Sequence, residues 1–112
     1  MRRVTLAQGS GGKETAELVK NLFLPRISLK RIKDGIGLDE LDDGATIPLD
    51  HRFTLVTSID SYTVNPPFFP GGNIGKLAAT GSVNDVAVMG GKPIAVLDSM
   101  VVEEGFPVNK LE

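Results

Sequence analysis

From Lys13 to Leu24, apolar Ala16, Val19, Leu22 and Phe23 recur at helical spacing, and Pro25 disfavours helical geometry in the residue before it. The spacing predicts a helix over 13–23. Residues 26–43 are charged, carry Gly35 and Gly37, and show only a weak alternation at Ile27, Leu29, Ile32 and Ile36, which reads as a loop with at most one strand. Ala45–Leu49 and Phe53–Ile59 are rich in β-branched and aliphatic residues, and the polar Asp50-His51-Arg52 between them predicts a hairpin. From Asn73 to Met89, Ile74, Leu77, Ala78, Val83, Val86, Ala87 and Val88 repeat with a helical period, while Gly75 and Gly81 are poor helix formers whose presence points to close backbone packing. Ile94–Val102 is an apolar run that predicts a long strand, and Pro107–Lys110 predicts the first turn of a further helix.

Glycine and proline gather in three places: Gly9, Gly11 and Gly12; Pro66, Pro67, Pro70, Gly71 and Gly72; and Gly90, Gly91 and Pro93. These are the expected working loops. The 112 residues suit one domain, 1–112, long enough to bury a core without disulfide or metal staples. With no cysteine, thiol nucleophiles and Cys-based metal sites are excluded from these residues. A net charge of −2 lacks the basic excess of a general nucleic-acid or anionic-membrane binder. The first residues show no signal-peptide core and no apolar run spans a bilayer, so a cytoplasmic location is expected.

Asp43 enters one expected strand and Asp60 closes the next, so a hairpin brings them close, and Asp85 lies in the second helix among apolar neighbours. Hard oxygen ligands without His or Cys suit Mg²⁺, although Asp at a strand end equally caps a turn. Gly9-Ser10-Gly11-Gly12-Lys13 precedes the first helix and offers free N–H groups and a cation to a phosphate chain. It is not a Walker A loop, because Glu14 stands where Ser or Thr is required, and a flexible glycine turn explains it as well. The second loop, 65–73, combines rigid prolines with Phe68 and Phe69 and suits an adenine, a peptide or simple core packing; Lys76 lies one turn into the following helix. His51, the one histidine, sits in a turn and is assigned no chemistry.

In this order, Gly9–Lys13, Asp42-Asp43-Gly44-Ala45, Thr57-Ser58-Ile59-Asp60-Ser61, Phe68–Ala78 and Gly81–Pro93 resemble the N-terminal domain of the HypE family of hydrogenase expression/formation proteins. That family lies within the aminoimidazole-ribonucleotide-synthetase-like (PurM-like) superfamily, which also holds selenophosphate synthetase and thiamine-monophosphate kinase. The Phe-Phe-Pro-Gly-Gly-Asn-Ile-Gly-Lys-Leu run is the part specific to HypE. The resemblance implies an α+β fold with a mixed or antiparallel four-stranded sheet and helices on one face, pairing into a barrel-like homodimer. It implies an ATP-dependent carbamoyl dehydratase that converts a thiocarboxamide on a C-terminal cysteine to a thiocyanate, the source of the cyanide ligands of [NiFe]-hydrogenases. It also implies Mg²⁺ ligation by Asp43, Asp60 and Asp85, and nucleotide contacts from Gly9, Ser10, Gly11, Gly12, Lys13, Phe69, Gly72, Asn73, Lys76 and Asn84. The HypF carbamoyltransferase and the HypC–HypD scaffold are the implied partners.

The family's second domain and cysteine tail are not among these residues, so the chain is expected to act as the N-terminal half and to be inactive alone. Gln8 stands where relatives often have His, which removes that contact from the expected set. Two other readings are a dimerisation or docking module without nucleotide, and the nucleotide domain of a selenophosphate-synthetase-like enzyme; the N-terminal loop's lack of a cysteine disfavours the latter.

Overall fold

The structure is a computed structural model, and it describes residues 3–112. Helix α1 spans Lys13–Leu18, and the chain then widens through one π-helical stretch, Val19–Phe23, and tightens into a 3₁₀ turn, Leu24–Arg26. Helical geometry therefore passes the boundary expected at residue 23. Pro25 falls in the first turn of the 3₁₀ segment, where a missing N–H leaves no bond unmade. The Arg26 guanidinium donates back to the Leu22 carbonyl, and Leu24 is 8% exposed.

Strands β1 (Ala45–Pro48) and β2 (Thr54–Thr57) pair antiparallel in the register Ala45↔Thr57 to Pro48↔Thr54, which is the expected hairpin with shorter strands. Its connection is held by Asp50, whose Oδ1 accepts from Arg52 N at 2.7 Å and Phe53 N at 2.9 Å. Residues 26–43 form a loop without a strand, laid against the free edge of β1. Thr46 N donates to the Ile36 carbonyl at 2.9 Å, and Ile36 N donates to Thr46 Oγ1 at 2.7 Å. Within this loop the Arg31 guanidinium donates to Asp39 at 3.0 Å and to Glu40, and that pairing holds the Asp39 carboxyl below the usual carboxylate range.

The second loop contains a miniature hairpin, β3 (Phe68–Phe69) with β4 (Gly72–Asn73), where only a loop was expected. Pro70 and Gly71 make its turn, and Gly71 at φ 88° occupies the left-handed region that a type II turn demands after proline. Helix α2 follows as Ile74–Val88. Asn73 caps it, accepting from Lys76 N at 2.8 Å, and the Ile74 N–H donates to the Pro67 carbonyl at 2.8 Å.

The four strands make two separate two-stranded sheets, so one continuous four-stranded sheet is not formed within the described residues. The strand expected at Ile94–Val102 joins no ladder. Its aliphatic side chains face outward, Leu97 and Val101 being 99% exposed, and a strand with no neighbouring edge has nothing to bond. Val108–Lys110 forms a single 3₁₀ turn where a helix start was expected. Leu24 is the one buried hydrophobic residue among those described. The chain is accordingly flat, 46 × 45 × 24 Å, with a radius of gyration of 16.9 Å, against about 13 Å for a well-packed domain of ~100 residues.

Candidate functional site

The β1–β2 register sets Ala45 opposite Thr57, so the residues just before β1 and just after β2 emerge at the same end of the hairpin. Asp43 is two residues before Ala45, and Ser58 and Asp60 follow Thr57. Helix α2 crosses this end and contributes Asp85. The Ser58 hydroxyl oxygen lies 3.0 Å from both the Asp43 carbonyl oxygen and Asp85 Oδ2, tying strand ends and helix together. Two residues on, the Tyr62 hydroxyl donates to Asp60 Oδ2 at 2.7 Å.

The electrostatics follow from this convergence. Asp60 beside Asp85 pushes the Asp85 carboxyl above the ordinary carboxylate range; half-burial and the Asp43 charge add to the effect, and the Ser58 hydroxyl opposes it. The Tyr62 hydroxyl is likewise pushed up, first by its bond to Asp60. Among the described residues the ion pairs lie elsewhere, at Lys13–Glu17 and at Arg31 with Asp39 and Glu40. Negative charge at the hairpin end is thus crowded without a recorded cationic partner. Among the described residues no three acidic or imidazole side chains already form a cage around one point. The donor chemistry nevertheless fits a hard divalent cation, since all the ligands on offer are oxygen and a cation would relieve the repulsion between Asp60 and Asp85.

The N-terminal glycine loop is built differently from the open cradle that was expected. Gly9 N donates to the Leu6 carbonyl at 3.0 Å and Ser10 N to the Ala7 carbonyl at 3.4 Å. Gly11 N donates to Thr15 Oγ1 at 3.0 Å, and the Ser10 hydroxyl donates to the Ala7 carbonyl at 2.9 Å. These donors serve the loop itself, and Thr15 pins it by also donating to the Gln8 carbonyl at 2.9 Å. Gly12 caps α1 in an extended conformation. Lys13 is exposed, 4.0 Å from Glu17. This loop and α1 do not pack extensively on the β1–β2 hairpin or on α2, so Gly9–Lys13 stand apart from the aspartates.

In the second loop, the Phe69 ring covers Gly72, Asn73 is spent as the helix cap, and Lys76 Nζ donates to the Gly71 carbonyl at 3.1 Å. Asn84 is exposed on α2 next to the half-buried Asp85. Sequence reasoning passed over Ser58, Tyr62 and Thr15. It did flag Gly81 as a close-packing position, and the Tyr62 hydroxyl fills that space; at Gly75 the nearest group is Asn73 Oδ1, at ordinary contact distance.

Residues 41–112, which contain all three aspartates and the capped helix, match the family described as AIR synthase related protein, N-terminal domain. The chain belongs to that family. Its relatives place this AIR synthase related domain beside the hydrogenase expression proteins. It is 46% identical over 110 residues to a protein of Methanocaldococcus jannaschii that carries the name hydrogenase expression/formation protein, covering 98% of the chain and 32% of the relative. It is 38% identical over 112 residues to carbamoyl dehydratase HypE of Escherichia coli, covering 100% and 33%, and 34% identical over 110 residues to that of Cupriavidus necator, covering 98% and 30%. The chain spans about a third of the length of these curated relatives. The α+β architecture agrees with an AIR synthase related domain, and no helix among the described residues is long and apolar enough to cross a membrane.

Proposed function

We propose that this domain is the Mg·ATP-binding and dimerisation half of a HypE-like carbamoyl dehydratase. The observation that carries the reading is the meeting of Asp43, Ser58, Asp60 and Asp85 at one end of the β1–β2 hairpin, with no ion pair to these aspartates among the described residues. Mg²⁺ at this place supplies charge neutralisation for nucleotide phosphate oxygens. Asp60 and Asp85 offer the carboxylate oxygens, with Asp43 adding charge from the strand entry. Ser58 orients Asp85, and the flanking backbone is fixed by the hairpin register, so the acceptors are held before ligand arrives. Lys13 and the glycine loop stand apart from this end of the hairpin, and the Gly9, Ser10 and Gly11 N–H groups are already bonded within the loop, so the reading rests on the aspartates.

On this reading, transfer of the ATP γ-phosphoryl group to the oxygen of a cysteine thiocarboxamide releases ADP and turns that oxygen into a leaving group; its departure as phosphate, with the nitrogen giving up its two protons, yields the thiocyanate. Positioning and charge neutralisation are most of what such a transfer asks of a protein. The cysteine belongs to sequence outside these residues, which contain none. A second copy covering the exposed aliphatics of 94–102 would complete a larger sheet, and HypF and the HypC–HypD scaffold are the partners this role calls for. The names of the relatives favour this reading over selenophosphate chemistry.

Calorimetric titration of Mg·ATP, with mass by light scattering on the same sample, tests the proposal. Binding by a dimer that EDTA abolishes and that Asp60→Asn weakens at least tenfold is expected, because the change keeps shape but removes an anionic ligand. A folded dimer that binds no nucleotide would leave assembly as the domain's contribution.

A further inference from the structure

We propose that Tyr62 is a positioning residue for Asp60, seated in a notch that Gly81 opens in α2. The inference rests on the Mg²⁺-binding reading above. A Cβ at Gly81 would lie 1.8 Å from the Tyr62 hydroxyl oxygen and 2.7 Å from the ring carbon that bears it, so any side chain there evicts the phenol. Glycine is among the poorest helix formers, and α2 carries it at the one point where the tyrosine must enter. Gly81 and Asp85 are one turn apart on the same face of the helix, so the notch sets the phenol on the side of α2 that carries Asp85.

The phenol donates to Asp60 Oδ2 at 2.7 Å, which ties that carboxylate to the ring. A neutral donor fixes the carboxylate without contributing a positive charge that would compete with Mg²⁺, as a lysine would. Tyr62 is half-buried while Asp60 is exposed, so the ring is the anchored partner and the carboxylate the one being held. The phenol holds it in place before the ion arrives.

The test is Mn²⁺ binding to the purified protein, read as loss of the free-ion electron paramagnetic resonance signal, with melting temperature measured on each variant. Tyr62→Phe keeps the ring in the notch and is expected to leave the melting temperature unchanged while weakening Mn²⁺ binding roughly tenfold, the low end of what losing such a supporting partner costs. Gly81→Ala displaces the ring and is expected to weaken binding to a similar degree, with Tyr62→Phe adding little in that background. Asp60→Asn separates the two ideas. If Asp60→Asn loses Mn²⁺ while Tyr62→Phe, or Gly81→Ala where Tyr62→Phe does not fold, binds as well as wild type, then Tyr62 only packs and the proposal falls. If wild type binds no Mn²⁺, or binds it no better than Asp60→Asn, the Mg²⁺-binding reading falls and takes this one with it.

Discussion

Asp85 has Asp60 and Asp43 for neighbours, and a single hydroxyl, that of Ser58, works against their charge. Its folded-state carboxyl titrates higher than in the unfolded chain. The fold therefore favours the protonated form, and the stability this lends is complete below the usual carboxylate range and is lost as pH rises through the elevated value. Asp85→Asn keeps an acceptor for Ser58 and removes the repulsion. Without metal at neutral pH it should melt higher by about 1 to 3 °C, since exposed charge pairs amount to a few tenths of a kcal/mol and a small domain moves ~4–8 °C per kcal/mol. Added Mg²⁺ should raise the melting temperature of wild type but not of this variant, which scanning fluorimetry from pH 4 to 8 would show. The three aspartates were legible in the sequence because carboxylates at strand ends and inside an apolar helix need an explanation. Ser58 and Tyr62 were not, because a hydroxyl two residues from an acid is unremarkable until the hairpin register and the notch at Gly81 aim it.

The elements divide according to whether their partners are local. Helix α2 was legible almost to the residue, since its apolar period and its cap at Asn73 are properties of one segment. The β1–β2 hairpin was legible too, its Asp50 turn closing a short connection. Ile94–Val102 has the composition of a strand but takes its hydrogen bonds from a neighbour, and the described chain provides none. The stretch after α1 was misjudged at its end because Pro25 stops an α-helix but not a 3₁₀ turn. Two substitutions test the loop and helix pair. Asn73→Ala should cost about 1 kcal/mol and lower the melting temperature by several degrees, while Asn73→Asp should restore it, as a cap should and a base-contacting amide would not. Gly71→Ala should cost a similar ~1 kcal/mol, because it forces a side chain into the left-handed region although the space around it is open; denaturant melts would read both.

At the scale of the molecule, many aliphatic side chains are exposed on a slab 24 Å thick. Leu77, Val83 and Val88 are exposed on α2, and Ile94, Leu97 and Val101 are exposed beyond it, a quantity of aliphatic surface that marks a contact region more than a solvated one. In the proposed dimer, Leu97→Asp with Val101→Asp should halve the mass seen by light scattering and lower the melting temperature together, since both come from covering the same side chains. A monomer of unchanged stability would show that this segment is not the contact. In the proposed dimer the exposed aliphatics become covered side chains, so folding draws part of its free energy from association. Each tenfold dilution then removes about 1.4 kcal/mol per mole of dimer, so the melting point becomes a measure of abundance. A cell that makes few copies would hold them more loosely, and expose them more to proteases, than a cell that makes many.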